Sequence, residues 1–184
     1  MYAVRQYHEH EMNIGQYLKI MRLENTIWPH PKKSVAELAE EALVFSRQQS
    51  DNWVRRYVVW EAGDAIAHAR IFPRKIITPE SELKIMALAG VCVNQKIQGK
   101  GLGKSLMESV FHDITLSPFP ISLFQTDVPG FYEKLGAKIV SNPFINSQKI
   151  AEPDANPWWG EYVMVYPDLA NFPEGEIDLN GPGY

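Results

Sequence analysis

The stretch of this sequence best equipped for chemistry is one in which a strand pattern ends, glycines alternate and a helix pattern starts at once: Val91-Cys92-Val93-Asn94-Gln95-Lys96-Ile97-Gln98-Gly99-Lys100-Gly101-Leu102-Gly103-Lys104-Ser105. The first N–H groups of a helix have no partner within it, and the aligned peptide dipoles add about half a positive charge there. Glycine removes the side chain that would keep a phosphate away from that backbone. Lys100 and Lys104 add flanking positive charge. Together these features suit a pyrophosphate. Two better-known phosphate motifs each miss a residue. A Walker A loop ending in Gly103-Lys104-Ser105 needs a glycine at 98, where Gln98 stands. The dinucleotide fingerprint starting at Gly99 needs a glycine at 104, where Lys104 stands. A glycine-rich turn without a ligand is the bland alternative; against it, alternating glycines cost backbone entropy with no evident packing return.

Other reactive side chains are fewer. Cys92 is the one cysteine. Its thiolate would be a good nucleophile, but no histidine lies near it in sequence, and a lone strand cysteine is expected as buried packing. The clusters Trp28-Pro29 and Pro157-Trp158-Trp159 could line an acceptor pocket or anchor loops. The tail carries Phe172, Ile177 and Leu179 and ends Gly181-Pro182-Gly183-Tyr184. That apolar density argues for a docked segment, either aimed at a substrate or simply closing the sheet.

The elements that must position these groups interleave helices and strands. Residues 2–8 read as a first strand and 11–24 as a helix. A second helix begins at Ser34, with the capping-box spacing Ser34-x-x-Glu37 and an apolar face of Val35, Leu38, Ala39, Ala42 and Leu43. A hairpin follows, with strands at 54–60 and 65–72 around a Gly63-Asp64 turn. A long strand at 83–93 leads into the glycine loop. Leu102, Leu106, Val110 and Ile114 then form the stripe of an amphipathic helix. A short strand at 121–124, a short helix at 129–135 stopped by Gly136, and strands at 137–144 and 161–166 complete the pattern. This is an α/β or α+β chain around one mixed sheet.

Composition narrows the class. The 184 residues are 45% hydrophobic and suffice for one domain spanning 1–184. A formal net charge of -4 with no basic block argues against a nucleic-acid partner. No apolar run approaches the ~20 residues that span a bilayer, and the first residues do not resemble a signal peptide. A single cysteine excludes an internal disulfide and a cysteine-based zinc site. A cytoplasmic protein with no metal, no nucleic acid and no membrane partner is expected, and a homodimer is left open.

The pattern Gln/Arg-x-x-Gly-x-Gly/Ala following a strand is the acetyl-CoA signature of the GNAT superfamily of N-acetyltransferases, which this chain resembles. Gln98-Gly99-Lys100-Gly101-Leu102-Gly103 matches that motif in full, and Phe131-Tyr132-Glu133-Lys134-Leu135-Gly136-Ala137 resembles the family's second motif. The resemblance implies a mostly antiparallel sheet of about seven strands flanked by about four helices. It implies a CoA-binding core over about 83–144, with a C-terminal strand and tail at 160–184. Acetyl-CoA would be the co-substrate. Val91, Cys92 and Val93 would pair with its pantetheine arm, where the strand splays from its neighbour. Gln98, Gly99, Lys100, Gly101, Leu102, Gly103 and Lys104 would hold the pyrophosphate. Tyr132 would donate a proton to the leaving thiolate, since a phenol with a pKa of about 10 is protonated at neutral pH. The family's usual strand carboxylate is missing, because Ala87, Ala89 and Gly90 occupy its positions. Glu82 and His68 are substitutes for the base, against surface and structural roles. Asp127 would either touch the cofactor or cap the next helix.

The leading expectation is thus acetyl transfer to a primary amine of a small molecule. Acetylation of a protein amine and a non-catalytic acyl-CoA-sensing module are the alternatives.

Overall fold

Two capping boxes set where the first helices begin. In the computed structural model, which describes residues 2–49, 51–119, 121–167 and 172–184, helix α1 (Ile14–Ile27) follows Asn13. The Asn13 side chain accepts from the Gln16 N–H, and the Gln16 side chain accepts from the Asn13 N–H. Helix α2 (Val35–Arg47) starts likewise from Ser34 and Glu37. Each box satisfies two N–H groups that a helix start leaves without partners. Helix α1 lies about three residues beyond its expected place. Glu9–Glu11 form a separate 3-10 turn, and the helix runs on until Trp28, which the following Pro29 pushes out of helical geometry.

The chain forms two compact units, one of residues 1–71 and 90–110 and the other of residues 72–89 and 111–184. All three crossings fall inside regular elements: strand β3 (Asp64–Ile77), strand β4 (Glu82–Val93) and helix α3 (Leu102–Leu116). No linker marks them, so a sequence reading has nothing there to divide.

In the first unit, β1 (Val4–His8) pairs antiparallel with β2 (Arg55–Glu61), and β2 pairs antiparallel with β3 from Asp64 to Ile71. The hairpin turn is Ala62-Gly63, both at positive φ, and Asp64 already pairs with Glu61. Positive φ at both central residues matches the right-handed twist of the strands. The turn therefore sits one residue earlier than expected. Met12, Tyr17 and Ile20 from the α1 side, Ala39 from α2, and Val58, Ala65 and Cys92 from the strands make this unit's core. The α3 residues Leu102, Leu106 and Val110 are buried, as their spacing predicts.

In the second unit, β4 pairs parallel with β5 (Ser122–Thr126) at Met86↔Ser122 and Ala87↔Leu123. Then β5 pairs antiparallel with β8 (Tyr162–Tyr166), and β8 with β6 (Lys138–Val140). Helix α4 (Pro129–Glu133) begins on a proline and gives way to Gly136 at φ 95°. The strand expected over 137–144 is broken in two, β6 and β7 (Phe144–Ile145). Asn142 turns aside to donate to the carbonyls of Pro173 and Gly175, and Pro143 has no N–H to give a ladder. Strand β9 (Ile177–Asp178) pairs with β7 in parallel and with Ile77 of β3. Phe172, Ile177, Leu179 and Tyr184 join this unit's core, whereas residues 168–171 of the tail lie outside those described.

Nine strands and four α-helices are described. The two strands beyond the expected seven are the two-residue β7 and β9. Two of the pairings are parallel, so the sheet is mixed and not purely antiparallel. Among the described residues no helix is long and apolar enough to cross a membrane.

Candidate active site

The glycine loop closes β4 in three steps. Asn94 caps a single 3-10 turn (Gln95–Ile97) by accepting from the Lys96 N–H at 3.0 Å. Gln98 Nε2 donates back to the Val93 carbonyl at 3.1 Å, which ties the loop to the strand end. Gly99 and Gly101 then take φ 80° and 79°, and a Cβ added to either would meet nothing within 4 Å. The space over this backbone is open, and glycine is required for its conformation rather than by crowding. Ser105 N–H bonds to the Gly101 carbonyl at 3.1 Å. The N–H groups of Leu102, Gly103 and Lys104 therefore precede the helical ladder, as at any helix start. Lys100 and Lys104 are exposed, with Lys104 lying 3.7 Å from Glu108 one turn on. An open cradle with free donors and two cations has the chemistry a pyrophosphate needs.

Just ahead of this segment β4 kinks at Gly90, whose φ is 58°. A Cβ there would lie 2.9 Å from Glu24 Oε1 and 3.3 Å from His68 Cε1. The missing side chain of residue 90 is thus replaced in space by a carboxylate from α1. His68 is fully buried, with Nδ1 at 2.9 Å from both the Gly90 carbonyl oxygen and Glu24 Oε1, and Nε2 at 3.1 Å from Arg56 Nη1. A guanidinium only donates and a carbonyl only accepts, so the hydrogen sits on Nδ1 and the Nε2 lone pair is used. Burial pushes the His68 pKa down against the pull of Glu24. His68 is therefore neutral with both nitrogens engaged, which removes it as a base.

Behind it, Arg56 and Arg70 stand directly opposite on β2 and β3. Such a like-charge pair needs a carboxylate, and Glu9 supplies it, 2.7 Å from Arg56 Nε and 2.5 and 3.1 Å from Arg70 Nε and Nη2. Burial raises the Glu9 pKa, but the two guanidinium groups hold it below the usual carboxylate range. The same balance applies to Glu24, where burial is outweighed by the His68 hydrogen bond and by the charges of Arg56 and Arg70. Glu24 keeps 24% of its side-chain surface exposed, while His68 has none. Glu24 was not among the candidates from sequence. The available signal was an acidic residue on the apolar stripe Tyr17, Ile20, Glu24, Ile27.

The remaining candidates divide. In the first unit, Cys92 is buried, and burial followed by the Glu24 charge pushes its thiol pKa far up, so it is packing and not a nucleophile. Val91 and Val93 are half-buried. Trp28 is exposed. In the second unit, Glu82 is held in an exposed ion pair with Lys75 at 2.9 Å, a surface role. Asp127 neither caps α4 nor stands free: its Oδ1 accepts from the Glu161 N–H at 3.0 Å. Trp158 packs between Phe144 and Tyr184, while Trp159 is exposed. Tyr132 is buried, its ring 4.8 Å from Phe124 and 4.9 Å from Phe131. The Tyr184 backbone oxygen accepts from Gln125 Nε2, and its ring faces Arg74 at 4.9 Å, so the tail is docked within this unit.

A sequence model of the family described as "Acetyltransferase (GNAT) domain" matches residues 10–140. The chain belongs to the GNAT acetyltransferase family. No curated protein matches it. Among solved structures, it is similar to a GCN5-related N-acetyltransferase from Kribbella flavida (19% identity, TM-score 0.59), covering 75% of this chain and 33% of that one. The chain thus spans about a third of that relative's length. It is also similar to a GNAT family N-acetyltransferase from Escherichia coli in complex with CoA (16% identity, TM-score 0.62, 97% and 89% covered). A third similar structure is glucosamine-6-phosphate N-acetyltransferase from Arabidopsis thaliana (19%, TM-score 0.59, 77% and 94% covered). At these identities the likeness is one of fold.

Proposed function

We propose that the protein transfers an acetyl group from acetyl-CoA to a primary amine of a small molecule, by direct attack of the amine on the thioester. The observation that carries this reading is the open backbone cradle at Gly99 and Gly101, directly ahead of the free N–H groups of α3. Gln98, Gly99, Lys100, Gly101, Leu102, Gly103 and Lys104 hold the pyrophosphate, with the lysines as point charges. Val91, Cys92 and Val93 contribute backbone groups to the pantetheine arm. A backbone N–H of this segment polarises the thioester carbonyl and stabilises the oxyanion that forms on attack. As the carbon–sulfur bond breaks, the thiolate takes a proton. The second motif, rather than a distance, assigns that donation to Tyr132.

The test is release of free CoA thiol from acetyl-CoA across a panel of primary amines. The reading expects turnover that depends on both substrates. Binding of CoA with no transfer to any amine would leave only an acyl-CoA-sensing module.

A further inference from the structure

The missing strand carboxylate and the kink at Gly90 are two sides of one arrangement. We propose that Glu24 of α1 is the acceptor-side carboxylate of the acetyl transfer: it holds the incoming amine and takes the proton that amine loses. This rests on the reading of the protein as an acetyltransferase.

Geometry carries the assignment. Glu24 Oε1 sits 2.9 Å from where a Cβ on Gly90 would stand, one residue before the segment given to the pantetheine arm. It is thus delivered to the strand position from which a β4 side chain would act, but from a helix. Oε1 lies 2.9 Å from His68 Nδ1, whose single N–H it shares with the Gly90 carbonyl, and 3.9 Å from Arg56 Nη1, within reach of its charge but beyond hydrogen-bond distance. Oε2 has no hydrogen-bond partner among the described residues, and the side chain retains solvent access. One oxygen is therefore anchored and the other is available. His68 and Arg56 act through Glu24 as positioning residues, and Glu9 holds Arg56 in place at 2.7 Å.

The proton balance closes without another reagent. The neutral amine nitrogen attacks the carbonyl carbon, and the carbonyl electron pair moves to oxygen. The nitrogen, now bearing a positive charge, is far more acidic than the free ammonium, so a carboxylate held below its usual pKa still accepts its proton. The carbonyl then re-forms, the carbon–sulfur bond breaks, and the thiolate leaves with a proton from the general acid. Glu24 returns its proton to water, and the general acid regains one from water.

The experiment compares wild type with Glu24→Gln, whose amide oxygen still accepts from His68 Nδ1–H, using acetyl-CoA, a fixed panel of primary amines and calorimetry with CoA. The expected result is a fall in turnover of about 10²-fold or more with CoA affinity changed by less than about threefold. Added formate should restore part of the turnover of Glu24→Ala by supplying the missing carboxylate. Turnover of Glu24→Gln within about threefold of wild type overturns the inference and leaves the acetyltransferase reading intact. Loss of CoA binding or of circular dichroism in Glu24→Gln also overturns it, because Glu24 then serves the fold. A wild type that binds CoA but acetylates no amine removes the parent reading and this one with it.

Discussion

Replacing Gly90 by alanine perturbs the backbone and the carboxylate together, and the structure gives a size for each effect. At φ 58° an L-residue pays about 1–2 kcal/mol for the left-handed conformation. The new Cβ would also stand 2.9 Å from Glu24 Oε1. That oxygen ends a flexible side chain and can move, but only by stretching its 2.9 Å contact with His68 Nδ1. Weakening one partly buried, charge-assisted bond costs a further ~1 kcal/mol or so. A total near 2–3 kcal/mol corresponds to a fall in Tm of about 4–12 °C for a chain of this size. Thermal unfolding followed by circular dichroism reads that term. Acetyl transfer reads the displacement of Glu24, which should lower turnover by at least about 10-fold while CoA affinity stays near wild type. A Gly90→Ala protein with unchanged Tm and unchanged turnover would refute both the strained kink and the role given to the carboxylate beside it.

Tyr132→Phe should lower turnover by about 10²-fold with little change in CoA affinity, and unaltered turnover with chemistry rate-limiting would return Tyr132 to packing. Glu9 has a folded pKa below its unfolded one, so its stabilisation is present above the ordinary glutamate range and disappears as pH falls through the lowered value. Urea midpoints should therefore drop more steeply between about pH 5 and pH 3 in wild type than in Glu9→Gln, and parallel slopes would contradict this. Cys92, buried with its thiol pKa pushed up, should react with iodoacetamide only after unfolding, and rapid alkylation of the native protein would show the burial to be wrong.

Much of the fold was written in local patterns. The Ser34–Glu37 box, the stripe Leu102, Leu106, Val110, Ile114 and the glycine loop all appear where their spacing places them, because each depends on neighbours within one or two turns. What local pattern could not supply was long-range pairing. The break between β6 and β7 depends on Asn142 reaching residues more than thirty positions away. The cluster of Glu9, Glu24, Arg56, His68 and Arg70 draws on four separate elements, so no spacing announces it. Of the two substitutes for the base, Glu82 lies just before the expected position in sequence and His68 in the preceding strand. The carboxylate beside Gly90 instead comes from a helix 66 residues earlier in the chain.

Calorimetric titration of CoA into wild type and Gly101→Asp tests whether the loop from Gln98 to Lys104 holds the pyrophosphate of CoA. Gly101 has nothing within 4 Å of an added Cβ, so an aspartate there pays only the left-handed strain of φ 79° and puts a carboxylate where the proposal places the pyrophosphate. The prediction is 1:1 binding by wild type at a micromolar Kd, about -8 kcal/mol. The variant should remain folded and lose most of that affinity. Equal binding by the two proteins, or no binding by wild type, would contradict the claim.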